Sequence, residues 1–306
     1  MIRKLEAAML TRRSLIAASA LLLPAAARAP ALDFLVVGDW GRGGGERQRE
    51  VGIEMGRTAA TLRPSFIIST GDQFYENGVS GLDDPHFHAS FEDIYTAPAL
   101  HVPWHLILGN HDYRGNVQAQ IDYSTRSKRW NLPARTFTTR ETMPDGTKVE
   151  FFYLDTSPFV EAYRHTKVRI DGQDTAAQLI WLDRALGQSD AGWKIVVGHH
   201  PVHTVLRQKR DTPELIARLK PLLAKHRVPL YLNGHDHNLQ VRNVDGIEFV
   251  TSGAGSQTSK VKHASAGEFA SDQHGFMTAS LAADALRYRF ISDTGALLYE
   301  GVVRRG

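Results

Sequence analysis

The chain has 306 residues and a mass of 34.0 kDa, with 42% hydrophobic and 23% charged residues and a mean hydropathy of -0.29; this excludes a coiled coil, a collagen-like rod and a disordered tail. It contains no cysteine, which removes disulfides, thiolate metal sites and a cysteine nucleophile. The net charge of +3 comes from residues 1–29, and without their five cations and one anion the rest carries 31 cations against 32 anions, a balance that disfavours a nucleic-acid binder. That first segment has a basic start, the pair Arg12–Arg13, an apolar run from Leu15 to Leu23 and small residues ahead of Pro30. The order is that of a twin-arginine export signal, with A-x-A patterns placing cleavage near Ala27 or Ala29. The run is too short to span a bilayer of about 30 Å as a helix. The mature protein is therefore expected to be periplasmic or secreted, without stable membrane association.

Beyond the leader, short apolar runs recur: Phe34–Val37, Phe66–Ile68, Leu106–Leu108, Ile195–Val197 and Leu230–Leu232. Runs of this kind suit strands covered on both faces. Between them lie three stretches with helical patterning: Glu46–Leu62, Thr175–Leu186 and Pro213–His226. Hairpins are predicted at Asp145-Gly146 and Asp245-Gly246, and the sequence from Glu248 onward is mostly strand-like. No repeat or linker divides residues 30–306, which read as one mixed α/β domain.

Each of the five runs continues into polar residues after a glycine. They are Gly38-Asp39-Trp40, Gly71-Asp72-Gln73-Phe74-Tyr75, Gly109-Asn110-His111-Asp112, Gly198-His199-His200-Pro201 and Gly234-His235-Asp236-His237. In α/β sheets functional groups gather beyond the carboxyl ends of strands, and a glycine there is expected to let the chain turn sharply. One Asp after a strand is usually a helix cap, but five such sites with metal-capable side chains form a joint pattern. Carboxylates and a phenolate suit a hard, highly charged cation; imidazoles and an amide oxygen suit a softer divalent one. Tyr75, three residues after Asp72, is informative because a phenol ionises near neutrality only beside a strong positive charge such as ferric iron.

With these motifs the chain resembles the purple acid phosphatases, specifically the small mammalian-type (tartrate-resistant) enzymes within the calcineurin-like metallophosphoesterases. Phe91-Glu92-Asp93-Ile94-Tyr95, Pro103-Trp104, Gly115–Ile121, Ser127–Asn131, Asn238-Leu239-Gln240 and Ser252–Gly255 extend the likeness from about residue 33 to the C-terminus. The resemblance implies an αββα sandwich of mixed sheets flanked by helices. It makes Asp39, Tyr75 and His237 terminal ligands of Fe(III), Asp72 the bridge, and Asn110, His199 and His235 ligands of a divalent Fe, Zn or Mn ion. Two ions at +5 against two aspartates, a tyrosinate and a bridging hydroxide leave +1, suited to a phosphate anion.

The function so implied is hydrolysis of small phosphate monoesters, with metal-bound hydroxide as nucleophile. A phosphodiesterase or nucleotidase of the same superfamily, and a metal- or phosphate-binding protein without turnover, remain as alternatives. His111 matches a family histidine that points toward substrate. The mammalian-type enzymes place another histidine nine residues after the residue matching His199; here that position is Gln208, so His203 is the nearest substitute proton donor. Other features are read as ordinary: Gly41–Gly45 as a loop near the metal mouth, His86 and His88 as solvated, and Ser127-Lys128-Arg129 as a solvated face. The natural substrate, the divalent metal and the oligomeric state are not specified by the sequence.

Overall fold

The computed structural model describes residues 31–206, 211–261, 264–265 and 267–305. The expected export leader and Gln208 lie outside the described residues. In chain order the regular elements are β1 (Leu32–Val37), α1 (Gln48–Leu62), β2 (Phe66–Ser69), β3 (Trp104–Leu106), α2 (Val117–Asp122), β4 (Trp130–Asn131), β5 (Phe137–Thr142) and β6 (Lys148–Tyr153). They continue with α3 (Thr175–Gln188), β7 (Trp193–Val197), α4 (Pro213–Arg218), α5 (Lys220–Lys225), β8 (Leu230–Asn233), β9 (Leu239–Val244) and β10 (Ile247–Ser252). β11 (Phe269–Ser271), β12 (Gly275–Leu281), β13 (Ala285–Ser292) and β14 (Leu297–Arg304) complete the described chain.

Two seven-stranded sheets form, ordered β14-β13-β12-β1-β2-β3-β4 and β11-β9-β10-β8-β7-β6-β5. Both are mixed: β1, β2, β3 and β4 run parallel, as do β6, β7, β8 and β10, while the remaining pairings are antiparallel. The two-residue period of a strand decides which core each side chain joins. Phe34, Val36, Phe66 and Ile68 enter the seam between the sheets with Phe151, Ile195, Val197, Leu230 and Leu232. Their neighbours Leu35, Val37 and Ile67 pack outward beneath α1 (Val51, Met55, Ala59), and Phe152, Val196 and Tyr231 pack outward beneath α3, α4 and α5. Phe34 stacks on Phe66 with centroids 5.2 Å apart, and Phe151 meets both rings edge-on. Each buried side chain of this size stabilises by about 1.5–3 kcal/mol. The expected αββα arrangement is the one observed.

The hairpins at Asp145-Gly146 and Asp245-Gly246 form; in the second, both turn residues have positive φ (54° and 81°), the geometry a two-residue hairpin favours. Four expectations need correction. The Leu106–Leu108 run is strand only through Leu106, and the next residues already belong to the loop. Pro213–His226 is two short helices, because Pro221 has no N–H and its ring clashes with the carbonyl four residues back. His86 is half-buried against Phe74, with ring centroids 5.3 Å apart, rather than solvated. Arg129 lies over Phe91 and donates to Glu92 and the Tyr95 carbonyl, so its charge is structural. Among the described residues no helix is long and apolar enough to cross a membrane.

Candidate metal centre

The loops after β1, β2 and β3 of the first sheet meet those after β7 and β8 of the second. Asp39, Asp72 and His235 each take left-handed backbone, with φ of 59°, 55° and 66°. Such conformations cost about 1–3 kcal/mol in a non-glycine residue and persist where the surroundings hold them. The Asp39 carboxylate helps hold the last of them, accepting from the His235 N–H at 2.9 Å. This corrects the expected role of some of the glycines. At Gly71, φ is 101°, so there the glycine does let the chain turn; at Gly109 and Gly234 it supplies space instead, since a Cβ would lie 2.2 Å from Asp72 Oδ1 at the first and 2.4 Å from Asp39 Oδ2 at the second.

Two groups of donor atoms result. In the first, the Tyr75 hydroxyl lies 3.1 Å from Asp39 Oδ1, 3.0 Å from Asp72 Oδ2 and 3.0 Å from His237 Nε2. His237 Nε2 is 3.5 Å from Asp39 Oδ1. In the second, Asn110 Oδ1 lies 3.2 Å from His199 Nε2 and 3.0 Å from His235 Nδ1, and His199 Nε2 is 3.5 Å from Asp72 Oδ2. Asp72 Oδ2 belongs to both.

The chemistry of these atoms tests whether ions fit. His199 Nδ1 is 2.7 Å from the Thr70 carbonyl, which can only accept, so Nδ1 carries the proton and Nε2 of the neutral ring offers a lone pair. That lone pair faces the Asn110 and Asp72 oxygens, which are also acceptors. Facing acceptors repel unless a cation lies among them, and ligands about 2.1 Å from one ion sit about 3.0–3.4 Å from each other. The contacts of 3.0–3.5 Å in both groups are close to that spacing. Asp39 and Asp72 are wholly buried, and burial together with the two carboxylates holds the Tyr75 phenol well above its ordinary value. Arg42, 3.9 Å over the Tyr75 ring, opposes that effect. Only a strong local positive charge would ionise this phenol.

His111 stands at the rim, its ring 4.3 Å from that of Tyr75 and its Nδ1 2.8 Å from the Glu76 carbonyl; its N–H donates to Asp72 Oδ1. His203 is elsewhere. Its Nδ1 is 2.8 Å from Asp211 Oδ2 and its ring lies edge-on to Phe249, in the core outside the second sheet. None of its described contacts is with the seven clustered side chains. Several site residues escaped sequence reasoning. Asp112 accepts from the N–H groups of Asp72, Gln73 and Gly109, tying the second and third loops together. His200 packs 4.5 Å from the His235 ring and contacts Thr156 Oγ1 and the Tyr163 hydroxyl. Asp112 and His200 stood inside quoted motifs, whereas Tyr163 carried no local signal.

Residues 32–239 match the family model described as calcineurin-like phosphoesterase. The chain is 44% identical to purple acid phosphatase 7 of Arabidopsis thaliana over 236 residues, covering 74% of this chain and 70% of the relative. It is 38% identical to human tartrate-resistant acid phosphatase type 5 over 264 residues, 79% of each. Among solved structures, GAP50, the anchor in the inner membrane complex of Plasmodium, matches at TM-score 0.80 and 25% identity over 90% of both chains. Purple acid phosphatase PPD1 of yellow lupin matches in fold at TM-score 0.64 and 14% identity, over 90% of this chain and 54% of that one. Fold and gathered donors thus define a calcineurin-like phosphoesterase. Within that class, the chain belongs to the purple acid phosphatase family.

Proposed function

We propose that this purple acid phosphatase works outside the cytoplasm after twin-arginine export. In this reading Fe(III) is held by Asp39, Tyr75 and His237, a divalent Fe, Zn or Mn ion by Asn110, His199 and His235, and Asp72 serves both. The chain is a metal-dependent acid phosphatase that hydrolyses phosphate monoesters at a dinuclear metal centre. When bound, the ions supply Lewis-acid charge for the phosphoryl oxygens and activate water. The protein's own part is orientation: the Thr70 carbonyl fixes the His199 ring, Asp112 fixes the two loops that carry Asp72 and Asn110, and burial excludes bulk water from Asp39 and Asp72. His111 Nδ1 is committed to the Glu76 carbonyl, so the ring delivers any proton to a leaving group from Nε2.

The observation that carries this reading is the pair of ligand-atom groups sharing Asp72 Oδ2. Metal analysis and a visible spectrum of the purified protein, with hydrolysis of an aryl phosphate, test it. Two metals per chain, one of them iron, and a phenolate-to-iron absorption band that vanishes in Tyr75→Phe are expected. Full activity in a colourless protein free of iron sinks the ferric assignment.

A further inference from the structure

A cavity of about 710 Å³ lies on the far side of Glu76 from His111, with Asn77, Ser80, Asp84, Arg114, Arg135 and Arg169 among its polar lining. Its size is that of a site for a small organic ligand. It shares a wall with the rim already described: the Glu76 carbonyl receives both His111 Nδ1 at 2.8 Å and the Arg114 guanidinium at 3.2 Å.

Tyr113 brings the three arginines together. Arg114 follows it in sequence, Arg135 donates to its hydroxyl at 2.5 Å, and the Arg169 N–H donates to its carbonyl at 3.1 Å. The Tyr113 hydroxyl in turn donates to the buried Asp155. The turn is tied to the facing segment by the Asn116 N–H, which donates to the Val79 carbonyl at 2.7 Å, and Gly115 lets the two backbones come this close, since a Cβ there would lie 2.5 Å from that oxygen.

The guanidinium groups have donors to spare. Arg114 Nε is buried without a partner, and the Arg169 side chain, exposed, makes no hydrogen bond or ion pair among the described residues. Nearby carboxylates offset only part of the charge. Asp155 lies 3.6 Å from Arg135, Glu76 lies 3.9 Å from Arg114 but is bonded to Arg42 at 2.8 Å, and Asp84 is occupied by the N–H groups of Ser80 and His86 and the Ser80 hydroxyl. Arginine forks match the paired oxygens of phosphate, and the Arg169 fork faces the cavity wall without a carboxylate of its own among the described residues.

We propose that this cavity is a subsite for a second phosphoryl group, so that the preferred substrates are small bisphosphorylated compounds whose other phosphate ester lies at the metal centre. The proposal rests on the phosphatase reading above.

The test compares fructose 1,6-bisphosphate with fructose 6-phosphate, in the metal-loaded wild type and in Arg169→Gln. In the wild type the bisphosphate should have the lower KM, and Arg169→Gln should raise that KM about tenfold while leaving the monophosphate unchanged, the effect of one charge-assisted contact. Calorimetric binding of a non-hydrolysable bisphosphonate analogue of the bisphosphate to both proteins reads the cavity without turnover. If no ester is hydrolysed but the variant binds about tenfold more weakly, the phosphatase reading fails and the subsite stands. Equal KM and equal affinity in the two proteins overturn the subsite. A preference for 3-phosphoglycerate over glycerol 3-phosphate that Arg169→Gln abolishes, without one for the bisphosphate, overturns it in favour of a carboxylate site.

Discussion

His199 is locked by Thr70: its Nδ1–H donates to that backbone carbonyl at 2.7 Å, and this bond decides which ring nitrogen faces Asn110 and Asp72. Thr70 follows β2 of the first sheet, whereas His199 lies just after β7 of the second. The tautomer of a residue from one sheet is thus set by the backbone of the other, which no side-chain substitution at position 70 removes.

Replacement of the shared carboxylate should empty both positions together. Asp72→Asn is expected to lose both metals and to cut turnover by about 10³-fold or more, given the several kcal/mol of charge stabilisation that bound ions supply. Asn110→Ala should empty mainly the divalent position. Metal analysis of the two variants checks this, and two metals per chain with normal turnover in Asp72→Asn refute the two-ion arrangement.

Proton delivery separates two histidines. His111→Ala is expected to slow hydrolysis by about 10²-fold or more for alkyl phosphates, whose leaving groups need a proton, with a smaller loss on aryl phosphates. His203→Ala should leave the alkyl-to-aryl rate ratio unchanged and lower stability by about 1 kcal/mol, because Asp211 loses one hydrogen bond while keeping those from the Thr204 N–H and Arg242. Steady-state kinetics on both substrate types and denaturant titrations decide. A selective loss on alkyl phosphates in His203→Ala would restore that residue to the acid role.

Stability at acid pH should carry the mark of His105. Burial holds this imidazole down to about 4 from 6.5, and the Asn131 amide donates to its Nδ1 at 2.7 Å. The unfolded chain therefore binds a proton that the folded chain refuses. The stabilisation is complete above pH 6.5 and is lost as pH falls toward 4, by about 3 kcal/mol in total. His105→Gln keeps an acceptor for Asn131 and should flatten this part of the profile. Parallel urea titrations at pH 7 and pH 4.5 measure it; identical pH slopes in wild type and variant would contradict the assignment.

Export is tested in the intact precursor. Lysine at both Arg12 and Arg13 should stop transport and leave activity in the cytoplasm. Unchanged activity outside the cytoplasm would remove the twin-arginine route.

The sandwich was readable because its strands are buried on both faces, giving runs such as Phe34–Val37 and Ile195–Val197 that end at the site loops. The neighbourhood of the seven donors was readable for the same reason, since each donor lies within a few residues of a run. What the sequence withheld is long-range. Nothing local shows that Tyr163 reaches His200, that Arg135 and Arg169 converge on Tyr113, or that His203 turns to Asp211. The glycines divide in mechanism: Gly71 has the positive φ that backbone freedom permits, whereas close approach of a facing carboxylate excludes a side chain at Gly109 and Gly234.

Both donor groups draw on both sheets. Asp39, Asp72, Tyr75 and Asn110 precede residue 111, and the histidines follow residue 198, with His237 the last. β1, which delivers Asp39, also needs β12 as its antiparallel neighbour, from residues 275–281. During synthesis, then, neither group of donors can be complete until the ribosome has made more than three quarters of the chain, and the sheet beneath the first group closes later still. Metal capture is thereby a late event in the life of each molecule, and a truncated or stalled product would carry the acidic half of the centre without the imidazoles that complete it.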